Sequence, residues 1–337
     1  CKIVSILIVL SRKNPGLCLV LLCLLPHASA DYIHWVDFRL SAPVLRSALE
    51  LDMASQGGEQ PLDWIDILAL AAAWRGGTGV TVADTQRAAQ ALRGDTPPKR
   101  LPGMAGRFFS YYRAAYGAAL GGLVGHFAIR RTDPQTGEAE WIPAYGLKAF
   151  SPIAAGYPWS HYPDFGAQRS YGYARPHLGN DILGALGTPI CAVEGGTVEA
   201  LGWNRYGGWR IGIRSDDRKR YYYYAHLRKD TPYAEGLAVG QRVQAGEVIG
   251  FMGRTGYSAQ ENVNNIETVH LHFGLQLIFD ESQKECDSEI WIDVYPIVEL
   301  LASHCSSVAR DPQTGRWERL YPYCDLDAEP LRSAAAR

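Results

Sequence analysis

The sequence predicts an α+β protein, with a small helical module followed by a larger domain built on an antiparallel β-sheet. Three observations carry this. Between about residues 41 and 120 apolar residues recur at helical spacing, whereas from about 145 to 279 they alternate in short runs with the period of strands. The strand-like runs are separated by glycine turns such as Gly195-Gly196 and Gly207-Gly208. Such connections are too short to hold the crossover helix that parallel strands require.

At 337 residues the chain is long for one domain, and an apolar fraction of 47% supplies a sizeable core. With 33 basic against 35 acidic residues the net charge is −2 and no basic run stands out, so nucleic-acid binding has no electrostatic support. Residues 1–30 read as a signal peptide or a retained membrane anchor. Arg12 and Lys13 precede an apolar run from Leu17 to Leu25, and Ala28-Ser29-Ala30 offers a small-x-small cleavage site. The chain is therefore expected to be exported, to the cell envelope or beyond it. Four cysteines lie past this leader, Cys191, Cys286, Cys305 and Cys324, where disulfides can persist, although their spacing does not say which would pair. The absence of any Cys-x-x-Cys pair argues against a cysteine-ligated metal site.

Residues 31–144 are expected to form the helical module. Ser41-Ala42-Pro43 opens an amphipathic run, Leu62 to Trp74 is densely apolar before Gly76-Gly77 stops it, and Thr81 to Leu92 ends near Gly94 and Pro97-Pro98. A fourth helix is expected over Arg107 to Leu120, with Phe108, Tyr111, Tyr112, Ala115 and Ala119 along one side. Two strands follow around Asp133-Pro134-Gln135-Thr136-Gly137, a turn whose five residues recur at 311–315, which reads as one turn chemistry used twice. Residues 145–300 are expected to form the sheet domain, with strands over Pro189 to Ala200, Trp209 to Arg214, Tyr221 to Leu227, Val248 to Met252 and Val269 to Ile278. A helix from Pro296 to Ser303 and a loop-rich tail over 301–337 complete the chain.

Three histidine motifs lie in the sheet domain. In His270-Leu271-His272 strand alternation sends both imidazoles to one face, although paired histidines can also sit at a half-buried edge. His177-Leu178-Gly179-Asn180-Asp181 sets an imidazole and a carboxylate four residues apart, which suits either two metal ligands or a structural His–Asp hydrogen bond. In Tyr221-Tyr222-Tyr223-Tyr224-Ala225-His226, alternation places Tyr222, Tyr224 and His226 together, with Tyr221, Tyr223 and Ala225 opposite.

Together with Gly187-Thr188-Pro189, Ala192-Val193, Tyr224-Ala225-His226-Leu227 and the run Gly240-Gln241 to Ile249-Gly250, these motifs resemble, in order, the lysostaphin-type zinc endopeptidases that cut peptidoglycan peptides. The resemblance spans roughly residues 172 to 279. It implies the lysostaphin-type catalytic fold with its groove, Zn2+ as cofactor, and peptidoglycan peptides as partner. It makes His177, Asp181 and His272 the metal ligands and His226 and His270 the catalytic pair, with His270 as base and His226 as donor to the oxyanion. The chain departs from the family pattern at Val269, at Gly274 and in a polar insertion from Tyr257 to Val269, which bear on substrate preference. The implied activity is hydrolysis of peptide bonds in wall stems or cross-bridges by metal-activated water. The alternatives are a non-catalytic wall-binding or regulatory scaffold of the same fold, and a zinc hydrolase cutting the sugar–peptide amide. The helical module is expected to serve packing, occlusion of the groove or substrate presentation.

Overall fold

The computed structural model describes residues 32–284 and 288–328; the expected leader and Cys286 lie outside the described residues. Four helices open it: α1 (Ala42–Ser55), α2 (Trp64–Arg75), α3 (Val82–Leu92) and α4 (Met104–Leu120). Each start and stop has a local cause. Asp63 accepts a hydrogen bond from the Ile65 N–H at the start of α2, Gly76 ends that helix at φ 65°, and Thr81 and Asp84 form a reciprocal capping box on α3. Helix α2 is buried nearly all round and is the core of the module, as its uniformly apolar sequence requires. The buried side of α4 includes Tyr112, Ala115 and Ala119 from the side expected along the sequence. It centres on Phe109, Tyr112 and Tyr116, while Phe108 and Tyr111 stay half-exposed.

Strands β1 (Val124–Thr132) and β2 (Ala139–Leu147) form a hairpin, so the boundary expected between 144 and 145 falls inside β2. The sheet domain follows with β3 (Trp159–His161), β4 (Gln168–Arg169), β5 (Arg175–Pro176), β6 (Asn180–Gly184), β7 (Pro189–Cys191), β8 (Gly196–Asn204), β9 (Gly208–Ser215) and β10 (Arg220–Ala225). It continues with β11 (Arg242–Val243), β12 (Val248–Phe251), β13 (His270–Leu277), β14 (Ile290–Trp291) and helix α5 (Tyr295–Leu301). The tail is not all loop, since it adds β15 (Val308–Arg310), β16 (Trp317–Arg319) and β17 (Tyr323–Asp325).

The main sheet has the order β11-β8-β9-β10-β13-β6-β3, with β14 also on β13, and every named strand pairing is antiparallel. β17 returns from the tail to pair with β1. The repeated turn is used alike in both places. Asp133 and Asp311 each accept hydrogen bonds from the N–H groups two and three residues on, and Gly137 and Gly315 close the turns at φ 74° and 75°. Cys191, Cys305 and Cys324 are free thiols.

Helical module and sheet share one apolar core, and a buried cation ties them together. Arg220, at the start of β10, is 1% exposed; its guanidinium pairs with Glu194 at 2.7 Å and donates to the main-chain oxygens of Gly117 and Ala118 on α4. Asp52 of α1 is fully buried and accepts from Trp64 N and from the Tyr145 hydroxyl of β2. Among the described residues no helix is long and apolar enough to cross a membrane.

Candidate active site

Strand register builds the site. β13 lies between β10 and β6, so His272 sits opposite Ala225 on one side and Asp181 on the other. Leu271, Phe273 and Leu275 point into the core, which forces His270 and His272 to the opposite face. His177, just ahead of β6, completes a cluster in which one ligand atom from each of His177, Asp181 and His272 lies within 4.8 Å of the others. The closest approaches are 2.8 Å from His177 Nε2 to His272 Nδ1, 3.0 Å from His177 Nε2 to Asp181 Oδ1, and 3.2 Å from His272 Nδ1 to Asp181 Oδ1.

Two nitrogens and one oxygen at these separations fit a tetrahedral metal site. Ligand bonds of about 2.05 Å set donor–donor edges of about 3.3 Å, and the observed edges need only relax outward. The glycine between the first two ligands is needed for this approach. A Cβ on Gly179 would lie 2.7 Å from His272 Cε1 and 2.6 Å from the Phe273 carbonyl oxygen.

A second layer holds these ligands in place, and none of it has a local sequence signal. The Asp164 carboxylate takes Arg169 at 2.9 Å and His177 Nδ1 at 3.1 Å, which leaves His177 Nε2 for the cluster. Arg169 also reaches Asp181 Oδ2 at 2.9 Å. Asn180, fully buried, donates to Asp164 and to the Tyr162 carbonyl, and its Oδ1 is 2.7 Å from His161 Nδ1.

The electrostatics follow. Burial would raise the Asp181 carboxyl, but hydrogen bonds from His177 and His272 hold it well below the usual carboxylate range. For His177 burial pulls downward, yet hydrogen bonds and charge from Asp164 and Asp181 win and push it up to about 9. His226 and His272 go the other way. Burial pulls both down; neighbouring imidazoles add to it at His226, and Asp181 only partly offsets it at His272.

In metal-free protein, proton NMR should therefore show His177 titrating near 9 and His226 and His272 staying neutral below 6.5. The sign for stability follows from the raised value. The contribution of protonated His177 is fully present below the unfolded value of about 6.5 and is lost as pH rises through about 9. A His177 resonance titrating near 6.5 would contradict the Asp164–Asp181 cradle.

His226 departs from strand alternation. β10 ends at Ala225, and His226 has φ 61°, so its ring turns into the groove beside Tyr223 and Ala225 instead of joining Tyr222 and Tyr224 in the core. Its centroid lies 4.7 Å from that of His270 and 5.9 Å from that of His272. His226 Nδ1 is 2.9 Å from the Thr255 carbonyl and His270 Nδ1 is 2.9 Å from the Thr268 carbonyl. A carbonyl can only accept, so each ring donates from Nδ1, and a ring in its neutral form then has Nε2 as acceptor. His270 Nε2 is 3.7 Å from Asp181 Oδ1. The oxyanion-donor role expected of His226 requires a proton on Nε2, the ring nitrogen not engaged by Thr255.

The surrounding groove is lined by residues from Arg169 onward, including Arg175, Tyr206, Tyr223, Tyr257, Glu289 and Trp291. Among the described residues, none of the helical module lines it. Of the insertion at 257–269 only Tyr257 reaches the groove; Asn262 is instead bound down by Trp209 and Asp230. Gly274 has a spatial cause, because the Trp291 ring lies over it and a Cβ there would be 2.9 Å from Trp291 Cζ3.

Comparison with known proteins finds a family match over the stretch that carries these residues. Residues 175–285 match the model of Peptidase family M23. The L-Ala–D-Glu endopeptidase of Bacillus subtilis (strain 168) is 35% identical over 177 residues, 50% of this chain and 52% of that protein. The glycyl-glycine endopeptidase ALE-1 of Staphylococcus capitis is 38% identical over 98 residues, 29% of this chain and 24% of that protein. The chain thus spans about half the length of the first relative and about a quarter of the second. The solved catalytic domain of lysostaphin from Staphylococcus simulans superposes with a TM-score of 0.32 at 28% identity, covering 42% of this chain and 92% of that one. The three clustered ligand candidates and the two further histidines all fall inside the matched stretch, and the chain carries a domain of peptidase family M23.

Proposed function

We propose that this chain is an exported, zinc-dependent endopeptidase that hydrolyses peptide bonds in peptidoglycan stems or cross-bridges. The observation that carries the reading is the convergence of His177, Asp181 and His272 on the floor of an open groove, with His226 and His270 beside them. Three protein ligands of this kind leave a coordination position free, the arrangement of catalytic rather than structural zinc. The names of the relatives, an L-Ala–D-Glu and a glycyl-glycine endopeptidase, support peptide bonds of the wall as substrate class. The leader pattern at residues 1–30 supports export.

Bound zinc would act as a Lewis acid and lower the pKa of an attacking water. The protein's own groups do the rest. His270, with Nδ1 held by the Thr268 carbonyl, directs Nε2 toward the cluster and takes the proton of the water there as general base. Once protonated it becomes the donor that the leaving amine needs. His226, kept neutral by burial, offers a second acceptor and steers the water, with its ring held by Thr255. Asp164 and Arg169 fix the orientation of the ligands and move no protons.

The test is mass analysis of fragments released from purified peptidoglycans of several cross-bridge types by zinc-loaded protein. Peptide-bond products that vanish with chelator and return with zinc are expected. Binding to the wall without any released fragment would instead favour the non-catalytic scaffold, and release of intact stems from the sugar would identify an amidase.

A further inference from the structure

The groove holds a fixed positive charge with which no carboxylate among the described residues pairs. Arg175, on β5, is caged by tyrosines; its guanidinium carbon lies 4.7 Å from the Tyr206 ring centroid and 5.7 Å from those of Tyr173 and Tyr257. The cage is itself braced, since Tyr171 stacks on Tyr257 at 4.6 Å with the rings 7° from parallel. One Arg175 N–H donates to the Tyr171 carbonyl at 2.7 Å. Among the described residues no carboxylate forms an ion pair with it. Two other charged side chains of the groove have hydrogen-bond partners of their own. Arg169 is paired with Asp164 and Asp181, and Glu289 accepts from the Trp291 indole at 2.8 Å.

A guanidinium held by aromatic faces keeps its in-plane edge of N–H donors free, and that edge is the shape that receives a carboxylate through two parallel hydrogen bonds. An arginine of this kind lining the groove next to the metal ligands is a binding element for an anion on the substrate.

We propose that Arg175, in its tyrosine cage, is the subsite for a free carboxylate on the substrate, so that the groove selects acidic stem peptides over amidated stems and over glycine cross-bridges. The proposal rests on the endopeptidase reading of the same groove. A glutamate linked into the stem through one carboxyl keeps the other, and amidation removes its charge while leaving its size almost unchanged. A glycine bridge has no side-chain carboxylate.

The experiment compares L-Ala–D-Glu–L-Lys with its counterpart amidated at the free glutamate carboxyl, using the full zinc-loaded chain. Both kcat/KM and equilibrium binding by calorimetry are measured. The wild-type protein should favour the acid about tenfold or more, the effect of one charge-assisted hydrogen-bonded contact, and the preference should shrink as salt rises. Arg175→Gln should bring the acid-to-amide ratio close to one, and Arg175→Lys should keep part of it. Equal binding of the two peptides by wild type overturns the subsite. So does a loss in Arg175→Gln that strikes both peptides alike, since that is the mark of a collapsed cage. If neither peptide is cleaved but the acid still binds tighter through Arg175, the endopeptidase reading fails and the carboxylate subsite stands.

Discussion

Replacing His272 by alanine is expected to give a folded chain that binds no metal and shows no measurable hydrolysis. His272 supplies Nδ1 to the three-atom cluster from a strand whose apolar face is buried, so truncation removes a ligand without touching the core. The lost Lewis-acid contribution is several kcal/mol, on the order of a thousandfold in rate or more. His270→Ala, two residues away on the same face, separates the roles. It should keep about one zinc per chain and lose roughly a hundredfold to ten-thousandfold in kcat, the usual range for a general base. Metal analysis and turnover on the same preparations decide the matter. Full zinc content in His272→Ala would sink the ligand assignment, and normal turnover by His270→Ala would remove it from the mechanism.

Glu194→Ala is expected to be the most destabilising single change away from the groove. The carboxylate is the partner of a guanidinium that is 1% exposed, and it also accepts the Tyr222 hydroxyl at 2.6 Å. Its charge, working against burial, holds the Arg220 guanidinium firmly protonated. Removing it leaves a buried charge only partly compensated by Asp217 and two helix carbonyls. Breaking such a pair typically costs about 3–5 kcal/mol, which corresponds to a fall of roughly 10 °C in Tm for a chain of this size class. Glu194→Gln, which keeps the shape and one acceptor, should lose less. Because Arg220 ties α4 to β10, the loss should be seen by probes in both parts, and a melting curve unchanged in Glu194→Ala would show that the tie carries no stability.

Much of this was legible along the chain because it depends on neighbours within a few residues. Helix starts at Thr81 and Asp63, the stop at Gly76 and the twin Asp-Pro-Gln-Thr-Gly turns follow from local capping and turn chemistry. The shared face of His270 and His272 follows from the period of a strand. The same rule misplaced His226, because alternation holds only while the backbone stays extended, and a residue at φ 61° no longer obeys it. On α4 the helical period was right, and Tyr112, Ala115 and Ala119 are buried, while packing against α2 brings in Phe109 and Tyr116 and leaves Phe108 and Tyr111 half-exposed.

Spacing within single segments therefore determined which two histidines share a face, while the resemblance carried by the ordered motifs implied which side chains would ligate a metal. Only the tertiary structure decided that Asp181 stands opposite His272, that Asp164 and Arg169 fold back to brace His177 and Asp181, and that tyrosines gather round Arg175. The physical reason is that register between strands is set by burying whole apolar faces at once. A polar contact made across that register leaves no trace at either position taken alone.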